Sequence, residues 1–151
     1  MEKLYENLER TLASLLEGDD DHISCMANAA ACIWELVPEI NWAGFYRLRD
    51  GVLVLGPFQG RPACIRIPLG KGVCGTAAAE NRSQLVPDVH LFPGHIACDS
   101  ASRAEIVVPL RDKSGSVRGV LDIDSPIKDR FGPGDLEGFE AAARVIEKAL
   151  F

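Results

Sequence analysis

Apolar residues recur at helical spacing near the start of the chain, at Leu4, Leu8, Leu12, Leu15 and Leu16. That pattern predicts a helix over Leu4–Leu16. Gly18 and the Asp19–Asp21 run end it, and an aspartate there can cap the next helix. Ile23–Val37 is densely apolar, which predicts a second helix buried on more than one side and closed by Pro38. Trp42–Leu48 and Val52–Pro57 then read as strands flanking Arg49-Asp50-Gly51, and Asp-Gly between two such runs signals a hairpin. Ala63–Ile67 reads as a third strand. Pro68 and the glycines at 70, 72 and 75 break the pattern, Gly75–Glu80 resembles a short helix, and Leu85-Val86 could pair briefly. A long loop comes next, Pro87–Ala104. Glu105–Leu110 and Val117–Ile123 are strands joined by the turn Arg111–Ser116. Pro133 starts a last helix, whose core stripe is Leu136, Phe139, Ala143, Ile146 and Leu150.

Two helices, a set of strands and a terminal helix make an α+β arrangement. The expectation is a mostly antiparallel sheet with the N- and C-terminal helices packed on one face. At 151 residues the chain fits a single domain over 1–151, large enough to bury a core without disulfide staples. It is 47% hydrophobic and 25% charged, ordinary for a globular protein. The net charge of −6 and pI near 5.0 favour neither nucleic acid nor an anionic membrane. The first residues lack the apolar core of a secretion signal, and no stretch approaches the roughly 20 apolar residues of a membrane span. A cytoplasmic location is expected, where thiols are mostly reduced.

Five cysteines stand at 25, 32, 64, 74 and 98. The odd count and the lack of a CxxC pair argue against a structural disulfide framework or an ordinary structural zinc site. Cys25 and Cys32 share a face of the second helix and read as small buried hydrophobes. The other three lie in or near the loops. Long loops in compact domains are usually functional, so Pro87–Ala104 is expected to wall an active site. Cys98 would be its nucleophile, with Cys64 and Cys74 as redox partners.

The words NWAGFY, VLGPFQGRPACIRIPLGKGVCGTAAA, LVPDVHLFPGHIACDSASRAEIVVPL and GVLDIDSP closely resemble the free methionine-(R)-sulfoxide reductases, which have a GAF-domain fold. The resemblance is strong from about Asn41 to Phe131. It implies reduction of free methionine-(R)-sulfoxide to methionine, with Cys98 matching the catalytic cysteine and Cys64 and Cys74 the resolving or recycling positions. Glu105, Asp122 and Asp124 match the active-site carboxylates, and Trp42 and Tyr46 match aromatics lining the substrate pocket. The reductant implied is thioredoxin, with no cofactor. The expected order is Cys98 pairing with Cys64 during turnover and with Cys74 in some resting oxidised states. Cys64 and Cys74 are separated by a glycine-rich stretch expected to give the resolving thiols mobility.

The residues suit the chemistry. A sulfoxide needs its oxygen protonated or stabilised before a thiolate attacks sulfur; a second thiol then condenses with the sulfenic acid. Asp122 and Asp124 alternate with Leu121 and Ile123, so both point to one face of a strand. Crowded carboxylates raise the pKa of at least one, which can then hold a proton near neutrality. Trp42 and Tyr46, four apart on a strand, share a face and could cage the S-methyl group. His90 and His95 near Cys98 could suggest zinc, but the carboxylates fit a metal-free mechanism better, so no metal is expected. Two rival readings stand beside the reductase. One is a GAF-type sensor of a small ligand or redox state, working without turnover. The other is a thiol peroxidase, which would not need three carboxylates. The terminal helices could mediate a homodimer.

Overall fold

The computed structural model describes residues 2–94 and 101–151. His95 and Cys98 lie outside the described residues. The elements run α1 (Glu2–Leu16), α2 (His22–Leu36), β1 (Trp42–Arg49), β2 (Val52–Gly60), β3 (Arg66–Pro68), α3 (Gly72–Glu80), β4 (Gln84–Val86), a 3-10 turn (Val89–Leu91), β5 (Ala104–Arg111), β6 (Val117–Ser125) and α4 (Pro133–Leu150). The strands form one six-stranded sheet in the order β3-β2-β1-β6-β5-β4, with every neighbouring pair antiparallel.

Local chemistry explains the junctions. The Asp21 carboxylate accepts from Ser24 N at 2.9 Å and caps α2. Asp50 and Gly51 both have positive φ, 51° and 78°, the geometry a tight β1–β2 hairpin needs. On one face of the sheet, Leu8, Leu12, Ile33, Phe139 and Ile146 from α1, α2 and α4 pack on Phe45, Ile106, Leu121 and Ile123. Each of these is fully buried, worth roughly 1.5–3 kcal/mol of transfer free energy per side chain. Tyr5 ties α1 to the start of α4: its hydroxyl donates to Asp135 Oδ1 at 2.6 Å, and Asp135 Oδ2 accepts from Gly132 N at 2.7 Å. A Cβ at Gly138 would lie 2.1 Å from the Tyr5 ring, so glycine is what lets that ring lie against α4.

Among the described residues, α3 and the 3-10 turn Val89–Leu91 cover the opposite face. There Val73, Cys74 and Ala77 meet Trp42, Tyr46, Leu53, Val107 and Val120 in a second, smaller cluster.

Three details depart from the sequence expectation. The third strand is Arg66–Pro68, not Ala63–Ile67, because Trp42 Nε1 donates to the Arg61 carbonyl at 3.0 Å and Tyr46 Oη to the Cys64 carbonyl at 2.9 Å. Side chains of β1 therefore hold the chain that leads into the strand, and the Leu55 N–H donates to the Ile65 carbonyl at 2.8 Å. The short helix starts at Gly72, three residues early. The glycines there serve close packing: a Cβ on Gly75 would lie 2.5 Å from the Pro68 carbonyl oxygen. In consequence Cys74 sits on a buried helix rather than in a mobile stretch. No helix among the described residues is long and apolar enough to cross a membrane.

Candidate active site

The two central strands β5 and β6 bring the carboxylates together. Glu105 pairs across the ladder with Asp124, and Asp122 with Val107. On the other side of β6, Asp124 is opposite Trp42 and Asp122 is opposite Gly44. Strand alternation sends Leu121 and Ile123 into the helical layer and Asp122 and Asp124 to the α3 side. Glu105 and Asp122 are 8% and 5% exposed, burial that carboxylates reach only with partners.

Cys74 enters the same cluster from the first turns of α3. Its Sγ lies 3.9 Å from Glu105 Oε2, and one donor atom each from Cys74, Glu105 and Asp122 fall within 4.8 Å of one another. Such a trio could hold a metal ion or share protons. Two charges about 4 Å apart repel by about 4 kcal/mol even at an effective dielectric near 20, which favours a proton held within the cluster. Burial first, then the charges of Asp122 and Asp124, push the Glu105 carboxyl well above the usual range, and its hydrogen bond to Asp122 pushes the same way. Burial also raises Asp122, but hydrogen bonds from Glu105, Asp124 and Cys74 pull it back. Glu105 therefore holds the proton and Asp122 accepts from it. Burial and the same carboxylates push the Cys74 thiol well above its ordinary value. It is a neutral thiol near pH 7 and a poor nucleophile. Asp122 Oδ1 is buried with no hydrogen-bond partner among the described residues.

The aromatic residues line the same face. Trp42 and Tyr46, each 2% exposed, stack with centroids 6.1 Å apart and planes 21° apart. Burial, and then Asp122, Cys74, Asp124 and Glu105 in that order, raise the Tyr46 phenol; the ring is within electrostatic reach of the whole acid cluster. Phe58, which the sequence pattern does not single out, stacks on Trp42 at 5.1 Å and 14°. The word GPFQG carried a signal: Gly44 pairs with Phe58, and a Cβ at 44 would lie 2.3 Å from Phe58 Cβ. Only glycine lets the third ring close over the cluster.

Cys64 is half-buried at the rim and engaged in a disulfide, whereas Cys25, Cys32 and Cys74 carry free thiols. Cys25 and Cys32 lie in the helical layer, away from the acids, and burial raises both. Of the long loop, Val89 is 1% exposed and packs into the site-side cluster with Phe92. The Gly94 carbonyl accepts from Gly72 N at 3.1 Å. The described part of the loop thus folds over the start of α3. His90 is exposed on it.

The structure therefore gathers Glu105, Asp122, Asp124, Cys74, Trp42 and Tyr46 on one face, with Cys64 at its edge. The sequence matches the GAF domain over residues 6–150. It is 52% identical to Protein YtsP of Bacillus subtilis over 99% of this chain and 92% of that protein. It is 49% identical to the free methionine-R-sulfoxide reductase of Escherichia coli over 98% of this chain and 89% of that one. The structure of fRMsr from Staphylococcus aureus in complex with substrate superposes with a TM-score of 0.92 at 50% identity, covering 97% of this chain and 95% of that one. This chain belongs to the GAF-domain family and, within it, to the free methionine-R-sulfoxide reductases.

Proposed function

We propose that the protein reduces free methionine-(R)-sulfoxide to methionine, with Cys98 as nucleophile, Glu105 as proton donor and Cys64 as resolving thiol. The observation that carries this reading is the buried Glu105–Asp122 pair. A carboxyl kept protonated by burial and by its neighbours is what a sulfoxide oxygen needs as it accepts charge. The neighbouring carboxylates, Asp122 with an unused buried oxygen and Asp124 beside Glu105, suit the ammonium group of a free amino acid. A peptide-bound methionine lacks that ammonium, so selectivity for the free form results. Trp42, Tyr46 and Phe58 supply the aromatic surface that a thioether favours.

Atoms and electrons balance over two steps. The Cys98 thiolate attacks the sulfoxide sulfur while Glu105 protonates the oxygen; the oxygen passes to Cys98, leaving methionine and a cysteine sulfenic acid. Cys64 attacks that sulfenic sulfur and water leaves, giving a disulfide. That Cys64 is engaged in a disulfide while three other thiols are free supports it as the resolving residue. Cys74, neutral and buried, remains beside the acids and forms a disulfide only in some resting oxidised states. A thioredoxin-like dithiol returns both thiols to the reduced form, and no cofactor or metal takes part. The chain works as one domain in the cytoplasm, with the terminal helices available for a homodimer contact.

The test is incubation with free L-methionine-(R)-sulfoxide and a dithiol, monitoring methionine release. Turnover is expected in the wild type and absent in Cys98→Ser. Retained turnover in that variant would refute the nucleophile, and binding without product would leave a sensor.

A further inference from the structure

Recycling requires that a reductant reach the disulfide at Cys64. We infer that the exposed edge running from Arg61 to Lys71 is the docking surface for a protein dithiol reductant with an acidic, partly apolar face. The inference rests on the reductase reading above and adds a partner surface to it.

Three observations converge on this edge. β3 is a terminal strand of the sheet, so among the described residues its outer side faces no other strand. Ile65, next to Cys64, is 63% exposed, and Leu69 is 39% exposed. Both lie on the same edge as the disulfide-bonded Cys64 and offer apolar contact area to a partner that reaches that sulfur. The third observation is charge. Between Asp50 and Glu80 there is no acidic residue, while Arg61, Arg66 and Lys71 all lie there and all are exposed. In a chain of net charge −6, this edge is a basic island. Arg66 also joins Arg47 and Arg49, with Asp50 as the one acidic neighbour, in a cleft of about 410 Å³ beside β3. An acidic partner is steered to such a patch and repelled by most of the remaining surface.

The exchange at this edge is ordinary thiol–disulfide chemistry. A partner thiolate attacks the Cys64 sulfur, and the sulfur bonded to it leaves as a thiolate. The partner's second thiol then attacks the mixed disulfide, which frees Cys64 and leaves the partner oxidised. Two electrons pass to this protein and the partner gains one disulfide. A small dithiol needs only access to the sulfur; a protein needs the surface around it.

The experiment therefore compares two reductants on the oxidised protein without any sulfoxide present. Reduction by thioredoxin and by dithiothreitol is read by alkylation and mass spectrometry of the Cys64 peptide, in wild type, Ile65→Glu and Arg66→Glu. The expected result is a fall of about tenfold or more in the thioredoxin rate constant for each variant, with dithiothreitol rates within about twofold of wild type. The wild-type thioredoxin rate should also fall as salt is raised. Thioredoxin rates unchanged in both variants, or losses equal for the two reductants, overturn the assignment. Methionine release by the wild type with dithiothreitol is scored separately, so a failure of the enzymatic reading shows there and not in the reduction rates.

Discussion

Glu105→Gln isolates the proton that the chemistry needs. The substitution keeps shape and hydrogen-bonding capacity but removes ionisation. Glu105 is 8% exposed, and burial plus the charges of Asp122 and Asp124 hold its folded pKa well above its ordinary value. In the unfolded chain it titrates near 4.3. A group whose folded value is raised binds more protons folded than unfolded, so its contribution to stability is full below the unfolded value and is lost as pH rises toward the folded one. Over that window the wild type loses stability relative to Glu105→Gln by up to about 1.4 kcal/mol per pH unit. Denaturant unfolding of both proteins at pH 4, 5, 6 and 7 measures the difference directly. Two curves that run parallel across that range would show that Glu105 ionises normally and would refute the argument from burial. Catalysis should respond oppositely: a glutamine cannot give up a proton, so kcat for methionine release should fall by about 10²–10⁴-fold near neutrality. Wild-type turnover in Glu105→Gln would remove Glu105 as the donor.

The other predictions concern thiols and packing. After dithiol reduction, iodoacetamide at pH 7 should label Cys64 in the folded protein but leave Cys25, Cys32 and Cys74 unmodified, since all three are buried with raised pKa; labelling of Cys74 as fast as Cys64 would contradict its burial. Gly44→Ala places a Cβ 2.3 Å from Phe58 Cβ, so it should cost about 1–3 kcal/mol in a denaturant melt and raise KM by displacing the ring over Trp42. Tyr5→Phe removes the 2.6 Å hydrogen bond to Asp135, leaves a buried carboxylate oxygen under-partnered, and should cost about 1–3 kcal/mol with methionine release unchanged; a drop in kcat would mean the helical layer communicates with the site.

Much of this molecule is legible in the sequence because its rules are local. Asp50-Gly51 announces the hairpin because both positions need positive φ. The alternation of Leu121-Asp122-Ile123-Asp124 places the acids on one face because a strand has period two. The features that escape the sequence depend on distant partners. Ala63–Ile67 looks like a strand, yet two aromatic side chains from β1 claim the Arg61 and Cys64 carbonyls at and before its start. Gly75 looks like a breaker, yet it sits inside α3 because the helix packs there against the Pro68 carbonyl. The setting of Cys74 is hidden for the same reason, since its spacing to glycines says nothing of the helix that buries it. The word GPFQG marks Phe58 only once its cross-strand neighbour Gly44 is known.

The bonds from Trp42 and Tyr46 to the Arg61 and Cys64 carbonyls have one more consequence. The same two rings that lie beside the carboxylates also moor the strap bearing the disulfide-bonded Cys64. A ligand that tilts either ring tugs on that mooring, so news of occupancy can reach the rim with no helix moving. Replacing Trp42 by phenylalanine would cut one of these lines, and the change would be felt in disulfide exchange as much as in substrate grip.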